Sequence, residues 1–122
     1  MTHQILEPTF ERNDDRGLFR EVLNDGTWEA LICGRMKPLS VIGNHYHKDT
    51  LVFLYLTSGS AHIRTVHVVT GQRDEFSLNS GHGVVLRTDE AHAITFQEES
   101  DFVMLKSHRF DPAALDTFNF PV

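Results

Sequence analysis

From Gly17 onward the chain reads as short runs of strand character broken by turns, with almost no helical periodicity, and this pattern leaves few architectures open. Gly17 to Leu23 and Trp28 to Met36 flank Asn24-Asp25-Gly26. Asp-Gly between two apolar-rich runs is a hairpin signal, so a tight turn joining two paired strands is expected there. Leu51 to Thr57 is apolar on both faces, with Leu51, Phe53 and Tyr55 on one and Val52, Leu54 and Leu56 on the other. Such a strand needs cover on both sides, from a second sheet or a second subunit. Ser58-Gly59-Ser60, Thr70-Gly71, Asn79 to Gly83 and Thr88 to Glu90 supply turns. They delimit runs at Ala61 to Val69, Gln72 to Leu78 and Val84 to Arg87, after which His92 to Gln97 and Phe102 to Ser107 follow. About eight short strands at this spacing predict an all-β sandwich or barrel, and a jelly roll has that strand number. Asp111 to Thr117, opened by Asp-Pro and rich in Ala and Leu, is expected to form a short C-terminal helical turn.

A chain of 122 residues fits one domain and one core. Its net charge of -6 opposes the phosphate backbone, whose binding needs many neutralising Lys and Arg, so nucleic acid is excluded as an expected partner. A small anion is a different matter, because a local arginine such as Arg64 or Arg87 is enough to hold one diphosphate. Cys33 has no second cysteine to pair with and sits among apolar residues of an expected strand. It reads as a buried, inert thiol in a reducing compartment. Met1 to Phe10 has neither a basic head nor an apolar stretch, and no run approaches the roughly 20 residues of a membrane span. A cytoplasmic protein without a membrane partner is the expectation.

Five of the eight histidines lie in the strand-rich middle, at His45, His47, His62, His67 and His92. His45-Tyr46-His47 is the most informative group. Residues i and i+2 of a strand project from one face, so both imidazoles can converge on a point about 2.0–2.1 Å away, as zinc or iron ligands do. His92 shares its strand face with Ile94 and Phe96, an apolar face that should point inward, and is the candidate third ligand. The plainer reading of each ring is a core histidine bonded to a backbone carbonyl.

The segment Gly43-Asn44-His45-Tyr46-His47 through Gly59 resembles the first cupin motif, and Gly83 through His92 resembles the second. Arg16-Gly17-Leu18-Phe19 with Glu21-Val22, the block ending His47-Lys48, Ile63-Arg64 with His67, and Phe110-Asp111-Pro112 through Asp116-Thr117 narrow the likeness. Together they are similar to the cupin domain that ends capsular polysaccharide assembling enzymes and to related nucleotide-sugar epimerases. The resemblance implies an arm over residues 1–15, a cupin-type jelly roll over residues 16–122, and a homodimer. It also implies a divalent ion, zinc first, on His45, His47 and His92. The motif glutamate does not carry over, since its position falls at Val52; Asp49, two residues beyond His47, substitutes only if the strand continues that far, and Asp49-Thr50 reads more like a turn.

What the resemblance implies chemically is epimerisation or isomerisation of a nucleotide-linked 4-keto sugar through an enolate. That reaction needs a base, an electrophile for the developing oxyanion and a route for reprotonation. His67 or His62 is the candidate base, Tyr55 or Tyr46 the candidate acid, and Arg64 and Tyr46 are the candidate substrate contacts. Strand alternation puts His62 and Arg64 on one face and His67 on the other with Ile63 and Thr65, so these residues cannot all line one pocket. Loss of the glutamate leaves a second expectation standing, a non-catalytic cupin that binds a sugar or other small ligand.

Overall fold

The computed structural model describes residues 2–122, and all the regular structure in them is β. The strands in chain order are β1 (Phe10–Asp14), β2 (Gly17–Glu21), β3 (Ala30–Met36), β4 (Val41–Tyr46), β5 (Val52–Ser58) and β6 (Ser60–His67). They continue with β7 (Arg73–Asn79), β8 (Gly83–Leu86), β9 (Glu90–Phe96), β10 (Ser100–Lys106) and β11 (Phe118–Asn119). One antiparallel sheet has the order β3-β10-β5-β8 and the other β11-β4-β9-β6-β7, while β1 and β2 form a separate two-stranded ribbon. The two larger sheets face one another as a jelly roll, the all-β architecture expected from the strand spacing.

Alternation decides what lies between the sheets. Val52, Leu54 and Leu56 of β5 and Phe102 and Met104 of β10 pack against Ile63 of β6 and Ile94 and Phe96 of β9. Each such side chain contributes about 1.5–3 kcal/mol by leaving water. The other face of β5 carries Phe53 and Tyr55, whose rings stack at 6.5 Å, and Trp28 lies against Phe53. Strand β5 is therefore central, with β10 and β8 as neighbours, and its second cover comes from this same chain.

Four expectations are corrected. The Asn24-Asp25-Gly26 turn forms, with Gly26 at φ 83° and the Trp28 indole donating to the Asp25 carbonyl, but it joins no hairpin. β2 pairs with β1 around Asp14 to Gly17, and β3 pairs with β10, whose inward apolar residues offer it a better partner. Asp111 to Thr117 makes an isolated turn closed by Ala114 N–H on the Asp111 carbonyl, and no helix grows from it because Asp116 is drawn onto residues 48–50. Cys33 is exposed rather than buried, since β3 is a sheet edge. Finally, eleven strands form where about eight were read. The additional ones are β1, β4 and β11, short or polar segments with little alternation of their own.

A three-histidine candidate site

The site begins with a fault in β4. Gly43 pairs with Ala93 of β9, but His45 pairs with the next residue, His92, so Asn44 is an extra residue opposite the step between them. Gly43 at φ 101° and Asn44 at φ 57° absorb this bulge in backbone regions that glycine and asparagine tolerate best. Ile42 points to the core, so uninterrupted alternation would turn His45 outward. The bulge resets the phase and brings His45 to the inner face beside its cross-strand partner His92.

His47 follows just beyond the end of β4. The rings of His45 and His92 lie 4.8 Å apart, those of His45 and His47 4.9 Å, and those of His47 and His92 5.6 Å. One ligand nitrogen from each falls within 4.8 Å of the others. His47 and His92 are each 3% exposed. Burial, with the charges of His47 and Lys106, pushes the His45 pKa down to about 4. Burial, with the charges of His45 and His47, pushes His92 down to about 3. His47 is lowered too, chiefly by burial, although its bond to Asp116 pulls the other way. All three rings are neutral at pH 7.

Asp116 fixes the tautomer of His47. Its backbone carbonyl accepts a hydrogen bond from His47 Nδ1–H at 2.6 Å, which leaves the Nε2 lone pair buried and without a partner. The Asp116 carboxylate in turn accepts from the N–H groups of Lys48, Asp49 and Thr50 and from the Thr50 hydroxyl. Burial alone would raise this carboxyl, but those bonds outweigh it and hold the pKa low. The C-terminal strap is tied down further by β11 on β4 and by the Phe120 and Val122 amides on Asn44. The sequence reading missed Asp116 as a site residue. Its signal was the Asp-Thr pair ending the last block of resemblance.

His47 opens onto a cavity of about 560 Å³ whose lining includes Lys106, His108, Arg109, Phe110 and Asp116. A second cavity of about 410 Å³ is lined by Thr65, His67, Arg73, Asp74, Arg87 and Glu90. Thr65 is the cross-strand partner of His92, and Glu90 precedes His92 by two residues on the same face, so the histidines lie between the two spaces.

The remaining candidates lie elsewhere. His67 faces the second cavity, where its Nδ1 accepts the Val69 and Thr70 amides. Tyr55 is on the face of β5 turned away from the core, stacked on Phe53. Tyr46 packs on Phe118 and Phe120 beneath the strap. Arg64 is exposed on the outer face of β6, and His62 beside it pairs with Glu75. Asp49 is exposed on a bend and does not join the histidines.

The lone pairs suit a divalent ion: two buried nitrogens, His47 Nε2 and His92 Nδ1, have no partner, and the rings are neutral. The charge does not. The donor set holds no carboxylate, and the ionised group that bears on all three rings is the cation Lys106. An ion of charge +2 placed there would meet no anionic ligand to offset its loss of hydration.

Two antiparallel sheets closed over an inward-facing histidine cluster define a cupin. More narrowly, the chain belongs to the polysaccharide biosynthesis C-terminal domain family, matched over residues 12–118. It superposes on capsular polysaccharide assembling protein CapF from Staphylococcus aureus with a TM-score of 0.70 and 26% identity, covering 93% of this chain and 34% of that one. The chain thus spans about a third of that protein. A dTDP-4-dehydrorhamnose 3,5-epimerase from Sulfolobus tokodaii shares the fold at a TM-score of 0.76 and 19% identity, covering 89% of this chain and 72% of the other. So does a 3,4-ketoisomerase from Thermoanaerobacterium thermosaccharolyticum, a double mutant in complex with TDP, at 0.74 and 17%, covering 95% and 86%. No curated protein matches by sequence. Among the described residues no helix is long and apolar enough to cross a membrane.

Proposed function

We propose that the chain is a nucleotide-sugar cupin that moves a proton beside the ketone of a nucleotide-linked 4-keto sugar, with His47 as the base. The observation that carries this reading is the state of His47: a neutral ring on the edge of a cavity, its Nδ1–H committed to the Asp116 carbonyl and its Nε2 lone pair buried without a partner. A base of this kind needs a fixed tautomer and a free lone pair, and the backbone carbonyl supplies the first without adding charge.

The chemistry follows from that placement. His47 Nε2 takes the proton from the carbon next to the carbonyl, the C–H electron pair moves into the enolate, and the charge collects on oxygen. Protonation of the same carbon from the other face by water, with His47 passing its proton to solvent, epimerises it. Protonation of the former carbonyl carbon, with the adjacent hydroxyl proton passing to the enolate oxygen, isomerises the ketone. Lys106 and Arg109 give the larger cavity cations suited to the anionic part of such a ligand. The kinship with CapF and the fold shared with a 3,5-epimerase and a 3,4-ketoisomerase support this substrate class. Further parts of the reading are a homodimer and a cytoplasmic setting.

Incubation with a nucleotide 4-keto-6-deoxy sugar in deuterated water tests it. Deuterium should enter the ring position beside the ketone with the wild type and not with His47→Ala. Binding without exchange would replace this reading with that of a non-catalytic sugar-binding cupin.

A further inference from the structure

Lys106 ends β10, the strand on which Phe102 and Met104 point into the core, so its side chain shares their inward face. Its cross-strand partner on β5 is Val52, which also faces inward. The ammonium lines the same cavity as His47, is half-buried, and makes no ion pair or side-chain hydrogen bond among the described residues. His47 lines that space too and clusters with His45 and His92, giving three imidazoles with no net charge and two unpartnered nitrogens within the reach of the Lys106 charge. An inward lysine without an ion pair is costly in a strand that otherwise builds the core. Here the unpartnered ring nitrogens and the acidic residues along the same cavity, Asp116 among them, favour a positive charge.

We propose that Lys106, rather than a divalent ion, is the resident cation of the three-histidine site. Val52 offers no negative charge to an incoming metal, and the ammonium repels one. Resting on the function proposed above, the assignment gives Lys106 a role: its N–H hydrogen-bonds the carbonyl oxygen of the substrate while His47 removes the adjacent proton. The C–H bond breaks, its electron pair ends on oxygen, the proton resides on His47, and Lys106 keeps its own protons throughout.

Cobalt(II) titration of the whole chain, followed by visible absorption and paired with metal analysis of the purified protein, tests the assignment without any substrate. Wild type should carry no stoichiometric metal after dialysis. Lys106→Met should bind cobalt at least about tenfold more tightly, since a like charge next to the ion is gone. Val52→Glu combined with Lys106→Met should be tighter still, and Lys106→Arg should titrate like wild type. One zinc retained per wild-type chain, or an equal gain with Lys106→Arg and Lys106→Met, would overturn the proposal, and the wild-type result stands even if a variant fails to fold. If no 4-keto nucleotide sugar exchanges deuterium but the cobalt results hold, the function reading falls and the resident cation remains.

Discussion

His47 and Asp116, 69 residues apart in sequence, are joined by a 2.6 Å hydrogen bond from the ring Nδ1 to the backbone carbonyl. The carbonyl sits where it does because the side chain of the same aspartate is held by three amides and a hydroxyl. Asp116→Ala keeps the carbonyl and removes its anchor. The expected result is a loss of about 1–3 kcal/mol in stability, as three amides and the buried Thr50 hydroxyl lose a charged acceptor. Exchange activity should fall about 10–100-fold, the usual cost of removing an outer-shell support, and mainly in kcat. Asp116→Asn, which keeps one acceptor oxygen, should recover part of both. Nitrogen-15 shifts of the His47 ring would show the tautomer released in the alanine variant.

His3 gives the fold a pH dependence. Its ring is buried, with Nδ1 2.7 Å from Asp74 and Nε2 2.6 Å from Glu90. Two carboxylates on opposite nitrogens call for two N–H donors, which only the imidazolium has. Burial acts to lower the pKa, but the bonds to Glu90 and Asp74 and the charge of Glu90 raise it above 6.5 despite nearby Arg87. A raised histidine stabilises fully below its unfolded pKa and ceases to do so as pH climbs through the folded value. Asp74 is lowered by its bond to His3, so its share is present above 3.8 and disappears as pH falls through its folded pKa. Docking of the first residues should therefore weaken on both sides of a mildly acidic window. The protection factor of the Leu6 amide, bonded to the Gly83 carbonyl, reports it. His3→Ala should flatten the alkaline limb, and an unchanged profile would rule out the latch.

Gly59 turns the chain from one sheet into the other at φ 88°, and a Cβ there would lie 2.1 Å from Ser100 Oγ and 2.7 Å from the Glu99 carbonyl oxygen. Gly59→Ala adds a collision to the left-handed penalty and should cost about 3 kcal/mol or more. Gly71 has φ 76° with open space around it. Its alanine variant should cost only about 1–2 kcal/mol, the conformational part alone. Denaturant midpoints of the two variants check the difference.

A homodimer would cover surface that the single chain leaves open. Leu31 on edge strand β3 is 69% exposed, and Leu18 and Phe19 on the β1–β2 ribbon are 51% and 54% exposed. A two-stranded ribbon is marginal alone, and an uncovered edge invites pairing. Cys33, on that edge, is a built-in reporter. Thiol modification should be slow in the wild type and fast in Leu31→Glu, with sedimentation showing the variant as a monomer. Rapid modification of a monomeric wild type would remove the dimer.

The sequence made the barrel legible because its core strands alternate: β5 through β10 fell within two or three residues of their expected bounds. The histidine pair was legible for the same reason, since i and i+2 share a face. What hid was non-local. Nothing in Gly43-Asn44 announces that the bulge, rather than alternation, turns His45 inward, and nothing around Lys106 reveals its partner, because Val52 is chosen by strand register. Asp-Gly promised a hairpin on local grounds, and β10 outbid β2 for β3. Tyr46 and Tyr55 were plausible acids by type, and their facing separated them from the histidines. Facing depends on which side of each strand the rest of the chain covers.

The three imidazoles come from β4, the residue just past its end, and β9, adjacent strands of one sheet, whereas Val52 and Lys106 belong to β5 and β10 of the sheet opposite. The pocket is thus divided between a wall that keeps its nitrogen donors and a wall that selects what they meet. A carboxylate on the second wall would invite a metal ion, and an ammonium there turns one away. Change of reactivity in such a barrel needs no rebuilding of the donor wall. Two side chains on the facing strands suffice, and neither supports the bulge or the strap that hold the histidines in place.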